Sequence, residues 1–175
     1  MEVFKFSMKK IIFSFIIFNL LSLSLSARIN ESIEQCRNRY GEPKAEKVNG
    51  IYPIKYYFKN GMNVMAVFYK DKAVVVNYAK PDASNPFYKR TVDKDGWMDT
   101  ISSPNIMEMN LPLPENEIEY LKNSNSENEK WTKTGDNIWQ REKKTVAASY
   151  QKNILTFKVV KQNDNKDKPS YLNGF

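Results

Sequence analysis

The sequence predicts an α+β fold in which short helices cover antiparallel β-meanders. Two observations predict it. Runs rich in β-branched and aromatic residues occur in threes, separated by turn-forming residues, and each set of three follows a short amphipathic stretch with helix start and stop signals. Helix followed by three strands is therefore read twice, as a tandem αβββ repeat over 28–80 and 114–160. An irregular connector at 81–113 joins the halves, residues 1–27 precede them as a signal peptide, and 161–175 follow as a flexible tail.

The signal reading rests on Met8-Lys9-Lys10, the apolar run Ile11 to Phe18 and a leucine and serine stretch ending at Ala27. These supply the basic, apolar and small-residue regions of a secretory signal. Ser14, Asn19, Ser22 and Ser24 interrupt the apolar stretch and leave it short of the roughly 20 residues of a bilayer span. Export is the expectation, with membrane contact only through this segment if it stays uncleaved.

In the first half, Asn30 or Ser32 can cap a helix whose Ile33, Cys36, Arg37 and Tyr40 share one face, and Gly41 and Pro43 end it. Ile51–Phe58, Met62–Tyr69 and Ala73–Lys80 then read as a three-stranded meander. Asn60-Gly61 suggests a two-residue hairpin, but a three-residue loop over 59–61 aligns Ile54, Tyr56 and Phe58 with Val64, Ala66 and Phe68 on one apolar face. That register is preferred, with a similar loop over 70–72, because a slip by one residue turns an apolar set outward. It leaves Lys55, Tyr57, Lys59, Asn63 and Tyr69 on a half-polar opposite face.

Prolines at 81, 86, 104, 112 and 114 mark the connector, with one short strand near Ile106–Leu111. Pro114 with Glu115 and Glu117 opens a second helix that offers Ile118 and Leu121 to a core. Ile138–Glu142, Thr145–Gln151 and Ile154–Val160 follow as strands, the last two joined at Lys152-Asn153 so that Val146, Ala148 and Tyr150 face Val159, Phe157 and Leu155.

Cys36-Arg37-Asn38-Arg39-Tyr40-Gly41-Glu42-Pro43, the Lys59-Asn60-Gly61 turn and the later pair Trp131 and Trp139 give an outline that resembles a group of exported, largely uncharacterised bacterial proteins. Its architecture also resembles the small outer-membrane assembly lipoproteins and, in tandem form, beta-lactamase inhibitory protein. The resemblance implies a helix-on-meander fold and no functional residue; this chain departs from the first by lacking a lipid-attachment cysteine and from the second by lacking internal disulfides.

Composition narrows the chemistry further. The chain has no histidine, which removes the usual triads, imidazole bases and almost every zinc or copper site. Cys36 is the single cysteine, so no internal disulfide forms, and its place on the helix face reads as core. Loss of Lys5, Lys9, Lys10 and Glu2 with the signal takes the formal charge from +7 to +5, a modest basicity that names no partner.

Asp93, Asp95 and Asp99 lack the spacing of a calcium loop, and strand aromatics in an exported chain argue for packing rather than nucleic-acid stacking. No cofactor, metal or catalytic residue is assigned. The expected function is a non-enzymatic binding or envelope-assembly module for an envelope or extracellular protein. Its candidate interface residues are the connector aromatics Phe87, Tyr88 and Trp97, with Met98, and Tyr57 and Tyr69 on the half-polar sheet face. The alternative is a hydrolase of an extracellular polymer using carboxylates among Asp93, Asp95, Glu115 and Glu117.

Overall fold

A computed structural model describes residues 28–85, 100–101, 109–143 and 145–160. Residues 1–27, where a signal is expected, the connector residues Phe87, Tyr88, Asp93, Asp95, Trp97 and Met98, and residues 161–175 lie outside the described residues.

Helix α1 spans Ile33–Tyr40. Ser32 caps it through a reciprocal pair: Gln35 N–H donates to Ser32 Oγ at 3.1 Å and Ser32 N–H to Gln35 Oε1 at 2.8 Å. Gly41 ends it at φ +87°, a conformation costly for any residue with a Cβ. Cys36 and Tyr40 are buried beneath it, as their spacing predicts.

Four strands follow: β1 Ala45–Asn49, β2 Tyr52–Lys59, β3 Met62–Tyr69 and β4 Lys72–Pro81. The short β5, Asn110–Leu111, pairs with the end of β4, and helix α2 covers Glu115–Ser124. Then come β6 Trp131–Gly135, β7 Ile138–Arg141, β8 Val146–Gln151 and β9 Ile154–Val159. All pairings are antiparallel, and the sheet runs β1-β2-β3-β4-β9-β8-β7-β6, so the last strand of each half meets the other at the centre. Strands β1 and β6, which form the sheet edges, were not anticipated from the sequence. Each half therefore places one helix before four strands rather than three.

The hairpins correct the preferred register. Asn60 and Gly61 have φ of 53° and 74° and form a two-residue turn of the type I′ kind, so Tyr56 faces Met65 and Tyr57 faces Val64. The three-residue loop is wrong here because Asn tolerates the left-handed region that the tighter turn needs. At the next hairpin Lys70 and Asp71 also make a two-residue turn, with φ of 47° and 59°.

A bulge at Val74 then moves the pairing by one residue, and Ala66 opposite Val76 and Val64 opposite Tyr78 are reached by that route. The β8–β9 pairs, Val146 with Val159, Ala148 with Phe157 and Tyr150 with Leu155, are as the alternation predicts.

Both faces of the first half are apolar. On the helix side, Tyr57, Val64, Ala66, Phe68, Val76 and Tyr78 join Ala148, Leu155 and Phe157 of the second half beneath Cys36, Tyr40, Ile118 and Leu121. On the other side Tyr52, Tyr56, Met65, Val67, Val74, Val75 and Ala79 pack with Ile101 and Ile154. The expected half-polar face is thus buried. Its Asn63 donates from Nδ2 to Thr100 Oγ1 at 2.8 Å, and Thr100 in turn donates to Asn110 Oδ1 at 2.6 Å.

Lys55 and Lys59, expected on that face, stand instead on the helix side, where Lys55 pairs with Glu46 at 2.6 Å and Lys59 donates to the Arg39 carbonyl at 2.6 Å. Asn125 links the halves, accepting from Ile29 N–H at 3.1 Å and donating to the Leu121 carbonyl at 2.9 Å.

Candidate functional site

The helix-side layer is not closed. A cleft of about 220 Å³ opens where Tyr40, at the end of α1, stands across from Glu117, Tyr120 and Leu121 of α2. Its floor is Val64 and Tyr78 from the central strands, and the β2–β3 turn closes one end with Lys59, Asn60 and Met62. Each wall follows from local folding. Gly41 stops α1 just after Tyr40, and the two-residue turn brings Lys59 and Met62 opposite each other in register. Pro114 sets the start of α2, so Ile118 and Leu121 point to the core while Tyr120 sits off that face, 51% exposed at the mouth.

The cleft is mostly apolar with a small charged rim. Tyr40 packs its ring on Tyr57, with centroids 5.3 Å apart. Burial, with Tyr78 beside it, raises the Tyr40 phenol well above the ordinary range; burial likewise raises Tyr78, whose hydroxyl lies beside Asn125 and Tyr40. Both therefore stay neutral at any physiological pH. Lys80 Nζ donates to Glu117 Oε1 at 2.7 Å. The second oxygen, Glu117 Oε2, is shielded from water and has no hydrogen-bond partner among the described residues. The described lining thus combines neutral phenols and apolar side chains with one carboxylate held by a lysine.

Of the interface residues expected from the sequence, Tyr57 and Tyr69 are described, and neither lines this cleft. Tyr57 is fully buried beneath α1, which corrects its expected place on the wetter face; burial pushes its phenol up, and its hydroxyl has no hydrogen-bond partner among the described residues. Tyr69 lies half-buried on the opposite side of the sheet, stacked on Tyr52 at 5.5 Å with Lys70 Nζ 5.1 Å from its ring. The described carboxylates of this region that are engaged meet cations. Glu117 meets Lys80, Glu119 meets Lys122 at 2.5 Å and Glu127 meets Arg141 at 3.0 Å, while Glu115 is exposed.

Of the four carboxylates considered for hydrolysis, Asp93 and Asp95 lie outside the described residues; of the two described, Glu117 lines the cleft and Glu115 does not. Reading the sequence missed Tyr120 and Met62. The available signal was an aromatic placed beside, rather than on, the Ile118–Leu121 core stripe of α2.

Comparison with protein-family models, with curated proteins and with solved structures finds no match in any of the three.

Proposed function

We propose that this chain is an exported, non-enzymatic binding or assembly module that engages an envelope or extracellular protein through the cleft between α1 and α2. The observation that carries the reading is Tyr120, a large aromatic half in water at the lip of an apolar recess. Such a residue contributes little to its own core and buries much area at small entropic cost when a partner arrives. The mostly apolar lining among the described residues, with its one carboxylate already held by Lys80, supports recognition over turnover. The amino-terminal signal pattern supports action in the periplasm or outside the cell.

We read the two halves as tandem copies of one helix-plus-four-strand unit. The matching element order and the central β4–β9 pairing support that reading, and under it the cleft lies where the two covering helices meet.

A photo-cross-linking amino acid placed at 120, in chain added back to envelope extract, tests the function. An adduct that excess unlabelled chain competes away, and that the same probe at Val48 does not give, is the expected result. Equal labelling from both positions, or no competed adduct at 120, ends the proposal. Val48 is the control because it is also exposed but sits on β1, at the sheet edge.

A further inference from the structure

We propose that the cleft receives the side chain of a partner's tryptophan, with its indole N–H on Glu117 Oε2. This rests on the binding-module reading and specifies its occupant. The argument starts from charge. The cleft's ionic groups are Lys59 and Glu117, with Lys80 held on Glu117. An incoming cation faces two lysines as well as Glu117, and an incoming carboxylate faces Glu117 as well as the lysines, so neither charge is cleanly matched. A neutral body with one donor meets neither repulsion.

That donor has a place to go. A buried carboxylate oxygen left without a partner is costly, and a bond supplied on binding recovers that cost. The proposal requires Oε2 to turn into the cleft, which the soft terminal torsion of the carboxyl allows. A donor-only group asks least of the cleft: Met62, Val64 and Leu121 offer an acceptor nothing, Lys59 Nζ already donates to the Arg39 carbonyl, and the Tyr40 and Tyr78 hydroxyls lie together beside Asn125. Indole Nε1–H is donor-only, whereas a phenol is not. The remaining surfaces suit an aromatic ring: Tyr40, Tyr78 and Tyr120 offer faces and edges, and Met62 a polarisable thioether.

The test titrates N-acetyl-tryptophanamide and its 1-methylindole counterpart into the full mature chain carrying ¹³C-methyl methionine. Met62 is the reporter, assigned by Met62→Leu, and Met65 on the opposite sheet face is the control. Expected is a saturable shift at Met62 with Met65 still, about tenfold weaker binding of the N-methylated probe, and loss of that discrimination in Glu117→Ala. Circular dichroism checks that Glu117→Ala remains folded; Lys80→Ala, which leaves the carboxylate in place, must keep the preference for N–H.

No Met62 shift up to the solubility limit, equal affinity for both probes, or shifts spread over all methionines each overturn the proposal. If these fail while the competed adduct at 120 persists, the occupant is wrong and the module reading stands. If the adduct fails too, both fall.

Discussion

β3 and β4 are buried on both faces along almost their whole length, while β8 and β9 alternate between buried and partly exposed residues and β6 is largely exposed. One sheet therefore contains two kinds of strand, and the change occurs at the β4–β9 seam. Across that seam Val75, 1% exposed, is the neighbour of Lys158, whose amine is partly in water though burial lowers its pKa. Among the described residues, Ile101 and the Thr100 hydroxyl lie against the second face of the first half. The first half is the more deeply buried platform, and the cleft opens above its helix side.

The largest effect tests the layer that both halves share. Phe157 is fully buried on β9 and touches both sides, with its ring edge-on to Tyr78 at 5.9 Å and tilted on Trp131 at 5.7 Å. Phe157→Ala is expected to cost about 3–5 kcal/mol in urea unfolding, in one transition for the whole chain. Two separated transitions would mean that the halves are energetically independent and that the shared layer is nominal.

Next comes the second face. Val75→Ala removes buried methyl groups and should destabilise by about 1–3 kcal/mol. A loss below about 0.5 kcal/mol would mean that this face is wet in solution and that the contrast between the halves is false.

The same contrast explains what could be read from the sequence. In β8–β9 the alternation is clean, because one face is buried, so Val146, Ala148 and Tyr150 fixed the register correctly. In β2–β4 both faces are apolar, and a one-residue slip exchanges one apolar set for another. Periodicity then loses its power to choose, and the preference for a three-residue loop at Gly61 had no pattern to correct it. Turn chemistry was the better guide, since Asn-Gly is a strong two-residue signal.

The edges β1 and β6 escaped for another reason. Ala45–Asn49 and Trp131–Gly135 are short and polar, as edge strands often are, so they lack the apolar signature of a strand. The cleft was least legible, because it is the space left by two helices and no run of residues encodes it; only Tyr120, set beside its helix's core stripe, hinted at it.

Depth beneath α1 can be read through pH. Burial, with Glu31 beside it, pushes the Cys36 thiol up from 9.0 to about 12. Because the folded value is the higher one, the native state holds its proton longer than the unfolded chain. The stabilisation is complete below about pH 9 and is lost as pH rises toward 12, at about 1.4 kcal/mol per unit. Tyr57 and Tyr78, also raised by burial, add losses of the same sign. Cys36→Ala should flatten the alkaline limb of a stability–pH curve. Thiolate absorbance rising near pH 9 in the folded chain would show that α1 does not seal the layer.

A smaller effect belongs to the turn that closes the cleft. Gly61 holds φ +74° with no heavy atom within 4 Å of an added Cβ, so Gly61→Ala meets backbone strain alone. The expected cost is about 1–2 kcal/mol, with the register kept. A much larger loss would mean that the hairpin shifts toward the looser loop and that Met62 leaves the cleft.

The smallest effect lies on the far side of the seam. Thr156 occupies the second face of β9 opposite buried Asn77, and it is only partly covered. Thr156→Ala removes a methyl and a hydroxyl that water already reaches, together with some strand preference, so its cost should stay within about 0.5 kcal/mol. Set beside Val75→Ala, this makes the comparison quantitative: two second-face residues on adjacent strands should differ several-fold in cost. Equal costs would extend the dry layer across β9 and move the boundary between the two kinds of strand outward to β8.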